Sequence, residues 1–183
     1  MASRYDDELW ELVPDGPRPP PKHLREFVDS LGRAEHALDL GCGDGNLTVE
    51  LDAERLTAAD VSAVALGRAR TRLDPRDSLV ELDPDEPLPF GDGAFDLVLC
   101  AETIEHVRDV QLLLSEIRRV LRPGGTLALT TPANLPVGPR PHPLSPHLRF
   151  FTRRSLRTLL EELGFEVTSL ERRSGTLLAR ATR

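Results

Sequence analysis

The sequence predicts an α/β protein, a mostly parallel sheet covered by helices on both faces, with an antiparallel strand near its C-terminal end. Short apolar runs alternate with segments of helical period between residues 22 and 163, the pattern of strands joined by crossover helices. The run 95–100 is apolar enough to be buried on both faces, as parallel strands are. The last two runs, 165–170 and 176–181, flank Ser174-Gly175 and read as a hairpin, which sets one strand antiparallel to the others.

The elements follow in order. Residues 6–12 suit a short helix carrying Leu9 and Trp10. The proline-rich stretch 14–21 cannot be helical and makes a stiff linker. A helix over 22–31 puts Leu24, Phe27, Val28 and Leu31 on one face. Strand 36–40 runs into three glycines, and a helical pattern over 47–53 follows them. Strand 56–59 leads to a helix over 63–72, with Ser62 as its N-cap. Strands 78–82 and 95–100 come next. A helix over 110–121 is ended by Pro123-Gly124-Gly125 before strand 126–131. Residues 132–151 contain six prolines and no period, and so long an irregular loop is usually functional. A helix over 153–163, stopped by Gly164, precedes the hairpin.

Composition narrows the functional classes. At 183 residues, 39% apolar and 29% charged, the chain fits one soluble globular domain. No apolar run is long enough to span a membrane. The N-terminus is acidic and lacks the apolar core of a signal peptide, so a cytoplasmic location is expected. Cys42 and Cys100 read as reduced structural thiols. The net charge of −7 argues against a broad nucleic-acid footprint. Residues 138–183 run the other way, with nine arginines against four glutamates.

The most informative stretch is Asp39-Leu-Gly41-Cys-Gly43-Asp-Gly45. An acid ends an apolar run, and glycines follow at alternate positions. Glycine admits positive φ and lets a ligand touch the backbone, and a helix start beyond it offers free N–H groups to an anion. Nineteen positions after Gly41, Asp60 ends the next apolar run. An acid there can hold the two hydroxyls of a ribose. The site reads as one for an adenosine-type cofactor, and its G-x-G-x-G spacing departs from the nicotinamide fingerprint G-x-G-x-x-G.

In this form the stretch resembles the first motif of class I S-adenosylmethionine-dependent methyltransferases. Later segments resemble that family too: Leu88-Pro-Phe90 through Phe95-Asp96, then Leu121-Arg-Pro-Gly-Gly125, then Leu163-Gly-Phe165. The resemblance covers about residues 36–170, and the chain is similar to the ubiquinone-biosynthesis and related actinobacterial enzymes of that family. It implies a Rossmann-like, doubly wound sheet of seven strands, the seventh antiparallel. It also implies S-adenosyl-L-methionine as cofactor. Gly41, Gly43 and Gly45 would lie against it, Asp39 would orient its amino group, and Asp60 would take the ribose hydroxyls. Val61 would pack on the adenine, and Asp83 or Asp85 would face the adenine amine. The chain then divides into an N-terminal segment (1–21), a cofactor-binding core (22–131), an acceptor-site loop (132–151) and a C-terminal helix and hairpin (152–183).

Methyl transfer needs alignment above all, and an alcohol acceptor also needs its proton removed or its oxygen held by a metal. Glu102-Thr-Ile-Glu105-His106 follows strand 95–100, where ligands sit in open α/β sheets. On a helix, Glu102, Glu105 and His106 share a face. With His147, or His142, from the loop they form a ligand set for Mg²⁺, Mn²⁺ or Co²⁺. Without a metal, His106 is the base, with Glu102 beside it. The pattern E-x-x-E-H, then Thr131-Pro, then His147-Leu-Arg-Phe-Phe-Thr152, resembles metal-dependent RNA 3′-terminal 2′-O-methyltransferases, and E-x-x-E-H also resembles ubiquinone-type O-methyltransferases. Three functions stay open: O-methylation of a small hydroxylated metabolite, sugar or natural product; metal-assisted 2′-O-methylation of an RNA end; and a cofactor-binding regulatory or partner subunit without turnover.

Overall fold

A computed structural model describes residues 2–16, 18–133 and 147–183. The chain divides into two compact units, Met1–Phe90 and Gly91–Arg183.

The first unit holds α1 (Ala2–Leu12), α2 (Lys22–Asp29), β1 (Ala34–Leu40), β2 (Ala53–Asp60), α3 (Ala63–Arg70) and β3 (Ser78–Glu81). Its strands are parallel, with β2 between β1 and β3; Leu38 pairs with Thr57, and Ala59 with Val80. Leu38, Leu40, Ala58 and Ala59 are buried in its core, as are Ala65 and Ala69 of α3. Ala69 lets the glycine turn come close: a methyl group on Gly45 would stand 3.2 Å from Ala69 Cβ. Ser62 caps α3 as expected, its hydroxyl accepting from Ala65 N at 3.1 Å.

One expectation fails here. The helix over 47–53 is only a single 3₁₀ turn, Thr48–Glu50. β2 begins at Ala53, three residues earlier than its apolar run. The buried Thr48 hydroxyl is also drawn to the Asp39 carboxylate at 2.6 Å. An extended strand on one side and a side-chain bond on the other leave no room for a helical nucleus. The helix N-terminus expected to face an anion is therefore absent.

The second unit holds β4 (Phe95–Ala101), α4 (Val110–Val120), β5 (Leu121–Pro132), α5 (Arg153–Glu162), β6 (Glu166–Arg173) and β7 (Thr176–Thr182). β4 and β5 are parallel, and β7 runs antiparallel between β5 and β6. The Pro123-Gly124-Gly125 step does not separate helix from strand. It is an irregularity within β5, between the pairs Phe95–Leu121 and Leu97–Thr126. Gly125 is required there, since a methyl group on it would lie 2.9 Å from Arg122 O. Asp109 caps α4, and Thr152 and Ser155 form a reciprocal cap on α5. Among the described residues no helix is long and apolar enough to cross a membrane. Both cysteines are free and buried.

Two glycines in the first unit give opposite predictions. Gly45 has φ +77° and the close Ala69 neighbour, whereas Gly67 sits within α3 with nothing within 4 Å. Gly45→Ala should lower unfolding free energy by about 1–2 kcal/mol. Gly67→Ala should raise it by about 0.5–1 kcal/mol. Urea denaturation of the two variants beside the parent checks both signs.

Candidate functional site

The glycine turn is built around two buried acids on neighbouring parallel strands. Asp39 stands one residue before the end of β1, and Asp60 ends β2. Gly41, Gly43 and Gly45 all have positive φ, +78°, +53° and +77°, a conformation that costs other residues a steric clash. Gly41 N and Cys42 N donate to Ala59 O, which folds the turn back over β2. Both oxygens of Asp60 are engaged: Oδ2 accepts from Gly43 N at 2.8 Å and Oδ1 from Ser62 N at 2.9 Å. The carboxylate thus joins the glycine turn to the start of α3. Burial pushes the Asp60 carboxyl up, against the pull of those N–H groups. Burial also pushes Asp39 up to about 7; the Thr48 bond lowers it and the Asp60 charge raises it further. The Cys42 thiol is pushed up by burial and by surrounding carboxylates, so it stays protonated.

The other expected cofactor residues divide. Val61 lies beside Asp60 and is half-buried. Asp83 and Asp85 are exposed, and Asp83 accepts from Asp85 N at 3.0 Å within its own turn. Only the backbone ties this region to Asp60, through Leu82 N donating to Asp60 O.

In the second unit the residues after β4 form turns, not a helix, so Glu102, Glu105 and His106 do not share a helical face. Glu102 has φ +51°. Its Oε1 accepts from Thr130 Oγ1 at 2.9 Å, whereas Glu105 Oε2 accepts from Thr131 Oγ1 at 2.9 Å. Successive residues of a strand point to opposite faces, so consecutive threonines of β5 draw the two acids apart. Glu102 accordingly falls outside the group of ligand atoms that comes together. Glu105, His106 and His147 do converge, with one ligand atom from each lying within 4.8 Å of the others. The rings of His106 and His147 meet edge to face at 4.9 Å, and Phe150 backs His147 at 5.5 Å. Leu148 N donates to Glu105 O, which fastens the His147 segment to this turn. His142 lies outside the described residues.

The Glu105 carboxyl is the electrostatic centre of this cluster. It is 1% exposed, and among the described residues its Oε1 has no hydrogen-bond partner, lying 3.9 Å from His106 Nε2. Burial, then the charge of Glu102, pushes it up to about 8. Burial pushes His147 down, which favours the neutral imidazole.

Residues 38–129 match the family model described as "Methyltransferase domain". The chain belongs to the class I S-adenosylmethionine-dependent methyltransferases. It is 36% identical over 135 residues to a Mycolicibacterium smegmatis protein named "Probable S-adenosylmethionine-dependent methyltransferase/", covering 71% of this chain and 51% of that one. It is 33% identical over 155 residues to the O-methyltransferase cnsE of Penicillium expansum, covering 75% and 54%. This family member spans about half the length of those curated relatives. A SAM-dependent methyltransferase from Aquifex aeolicus superposes with a TM-score of 0.71 at 19% identity, over 86% of this chain and 88% of that one. The likeness bears out the expected Rossmann-like fold of mostly parallel strands with an antiparallel C-terminal pair.

The matched segment carries the glycine turn and Glu102 to His106, but not α1 or His147. Sequence reading missed Thr48, whose type and place after the glycines resemble any helix residue. It also missed Thr130, which reads as an ordinary strand residue, and gave no hint that Thr131 binds Glu105.

The buried Glu105 makes stability depend on pH. Its pKa is raised on folding, so the folded state holds a proton that the unfolded chain releases. Stability is full below about 4.5 and falls as pH rises to about 8, by about 1.4 kcal/mol per pH unit at most. Glu105→Gln, measured in EDTA, should gain on the parent through that window and show no further gain above it. Denaturation at pH 5, 7 and 9 reads the trend; parallel curves would remove Glu105 as its source.

Proposed function

We propose that the chain binds S-adenosyl-L-methionine at the turn of Asp39, Gly41, Gly43, Gly45 and Asp60, and methylates an oxygen of a small hydroxylated acceptor. Family membership and the turn support the first half. The observation that carries the second is the convergence of Glu105, His106 and His147 around an unpartnered carboxylate oxygen. An alcohol needs help to lose its proton, and this cluster is suited to give it. The relative named as an O-methyltransferase supports the same chemistry. The net charge of −7 disfavours a long nucleic-acid partner.

The bound cofactor supplies a methyl group already activated on a sulfonium. The chain's own task is to hold and exclude. Asp60, with both oxygens engaged by backbone N–H groups, keeps lone pairs for the ribose hydroxyls at a preset position. Asp39 binds an ammonium only after losing its proton, so affinity should rise as pH passes about 7. Val61 offers an apolar contact beside the ribose acid, and Asp83 and Asp85 are the exposed acids left for the adenine amine.

Glu105, His106 and His147 also fit a divalent cation: Mg²⁺, Mn²⁺ or Co²⁺. The orphaned Glu105 Oε1 and the neutral-leaning His147 are a carboxylate and an imidazole of the right kind. A cation there would polarise the acceptor oxygen. Glu102, held by Thr130, serves as an outer acid and not as a ligand. Because Glu105 must give up its proton first, cation affinity should increase with pH up to about 8. The cluster also favours a second reading, metal-assisted 2′-O-methylation of an RNA end. In a metal-free version His106 takes the proton itself.

Asp60→Asn tests the cofactor half. Loss of the charge-assisted bonds should weaken S-adenosylhomocysteine binding by roughly 10–150-fold, and unchanged calorimetric affinity in a folded variant would clear Asp60 of the role. For the cluster, methyl transfer from labelled cofactor to hydroxylated small molecules and to RNA ends is measured with EDTA and with added Mn²⁺. Loss in EDTA, return with Mn²⁺, and failure of both His106→Ala and His147→Ala identify metal-assisted chemistry. Insensitivity to EDTA, with only His106→Ala slowed and the parent's acid limb missing from the residual rate of that variant, identifies the metal-free base. Full activity in every variant would reject a chemical role for the cluster.

A further inference from the structure

The helix α1 packs against the proposed cofactor turn and the start of α3. The Trp10 indole rests on Gly43 so closely that a methyl group on that glycine would lie 2.7 Å from the ring. Asp7 reaches the start of α3, where its Oδ1 accepts from Ser62 Oγ at 2.6 Å and from Val64 N at 3.1 Å. Ser62 is the residue whose N–H is held by Asp60. Asp6, one residue earlier, is near enough to Asp60 for the like charges to push the Asp6 carboxyl up, second only to burial. Arg68 lies over the Trp10 ring at 5.9 Å and donates to Val13 O at 2.9 Å. Further along, Arg72 donates to Gly16 O at 2.8 Å and pairs with Asp44 at 2.9 Å, and Arg18 pairs with the same Asp44 at 3.2 Å. The N-terminal segment is thus fastened across α3 and the glycine turn.

The contacts fall on the groups that a cofactor would use. A ligand touching Gly43 on its open face and the Trp10 ring cannot share that space. The negative charge of α1 near Asp60 adds to this: Asp60 raises the Asp6 carboxyl, and Asp7 raises that of Asp60.

We propose that α1 is a built-in competitor for the cofactor, latched onto the glycine turn by Trp10 and Asp7 and displaced when the cofactor binds. This rests on the reading of residues 41–45 as the cofactor turn. The latch lowers apparent affinity by the fraction of molecules in which it is open. Opening costs the Asp7 bonds and the indole contact, while the Asp6–Asp60 repulsion works in its favour. The closed state is therefore held without being locked.

Trp10 is the chain's single tryptophan, so its emission reports the latch directly. Adding S-adenosylhomocysteine to the parent protein should shift the emission to the red as the indole enters water. Asp7→Ala should show part of that shift without ligand. By calorimetry it should bind S-adenosylhomocysteine roughly three- to tenfold more tightly than the parent, and Trp10→Ala should do the same. Weaker binding in both variants would overturn the proposal and make α1 a clamp that closes over the cofactor. Calorimetric binding with no emission change would overturn it as well. Absence of heat in all three proteins would instead defeat the cofactor reading itself, which the ligand-free shift in Asp7→Ala does not depend on.

Discussion

The carboxylate of Asp60 is the interaction on which the first unit depends. One oxygen holds Gly43 N and the other holds Ser62 N. With that single side chain, the end of β2, the turn after β1 and the cap of α3 become one body. A buried carboxylate satisfied by backbone N–H groups remains a strong acceptor, and its position is set before any ligand arrives. The small residues around it follow from the same constraint. Gly45 must be side-chain-free for the turn to reach Ala69, and Gly43 must be so beneath Trp10.

The second unit uses a related device with a different outcome. The acids after β4 are bound by hydroxyls from β5, Thr130 for Glu102 and Thr131 for Glu105. The ligand atoms that converge are those of Glu105, His106 and His147, and Glu102 is not among them. Glu105 keeps an oxygen unsatisfied and faces the histidines; Glu102 is left to act on Glu105 through its charge. An unpaired buried oxygen is costly in a folded protein, and its placement beside two imidazoles accounts for the chemistry proposed here.

Both units rely on acids whose charge is held back by burial: Asp39 in the first and Glu105 in the second. Near neutral pH Asp39 is about half-protonated and Glu105 mostly so, and a positive partner would draw the remaining proton off each. Binding and proton release are then linked, and the same burial that weakens the ligand-free fold strengthens the attraction for a cation.

By itself the sequence determined the alternation of strands and helices, the hairpin at the end, the glycine turn, and the placing of Asp39 and Asp60 near the ends of successive strands. These are local signals: apolar period, positive-φ glycines, and an acid at a strand end. The family resemblance rested on the same residues. Tertiary structure alone decided what depends on distant partners. The pattern over 47–53 is compatible with a helix, but the Thr48 bond to Asp39 and the early start of β2 reduce it to a 3₁₀ turn. Glu102 shares a helical spacing with Glu105 and His106, yet the threonines of β5 separate it from them. His147 meets His106, and Trp10 meets Gly43, across stretches of chain that carry no common period. Periodicity reports which face of an element is buried, and it holds no information about which side chain of another element will lie against that face.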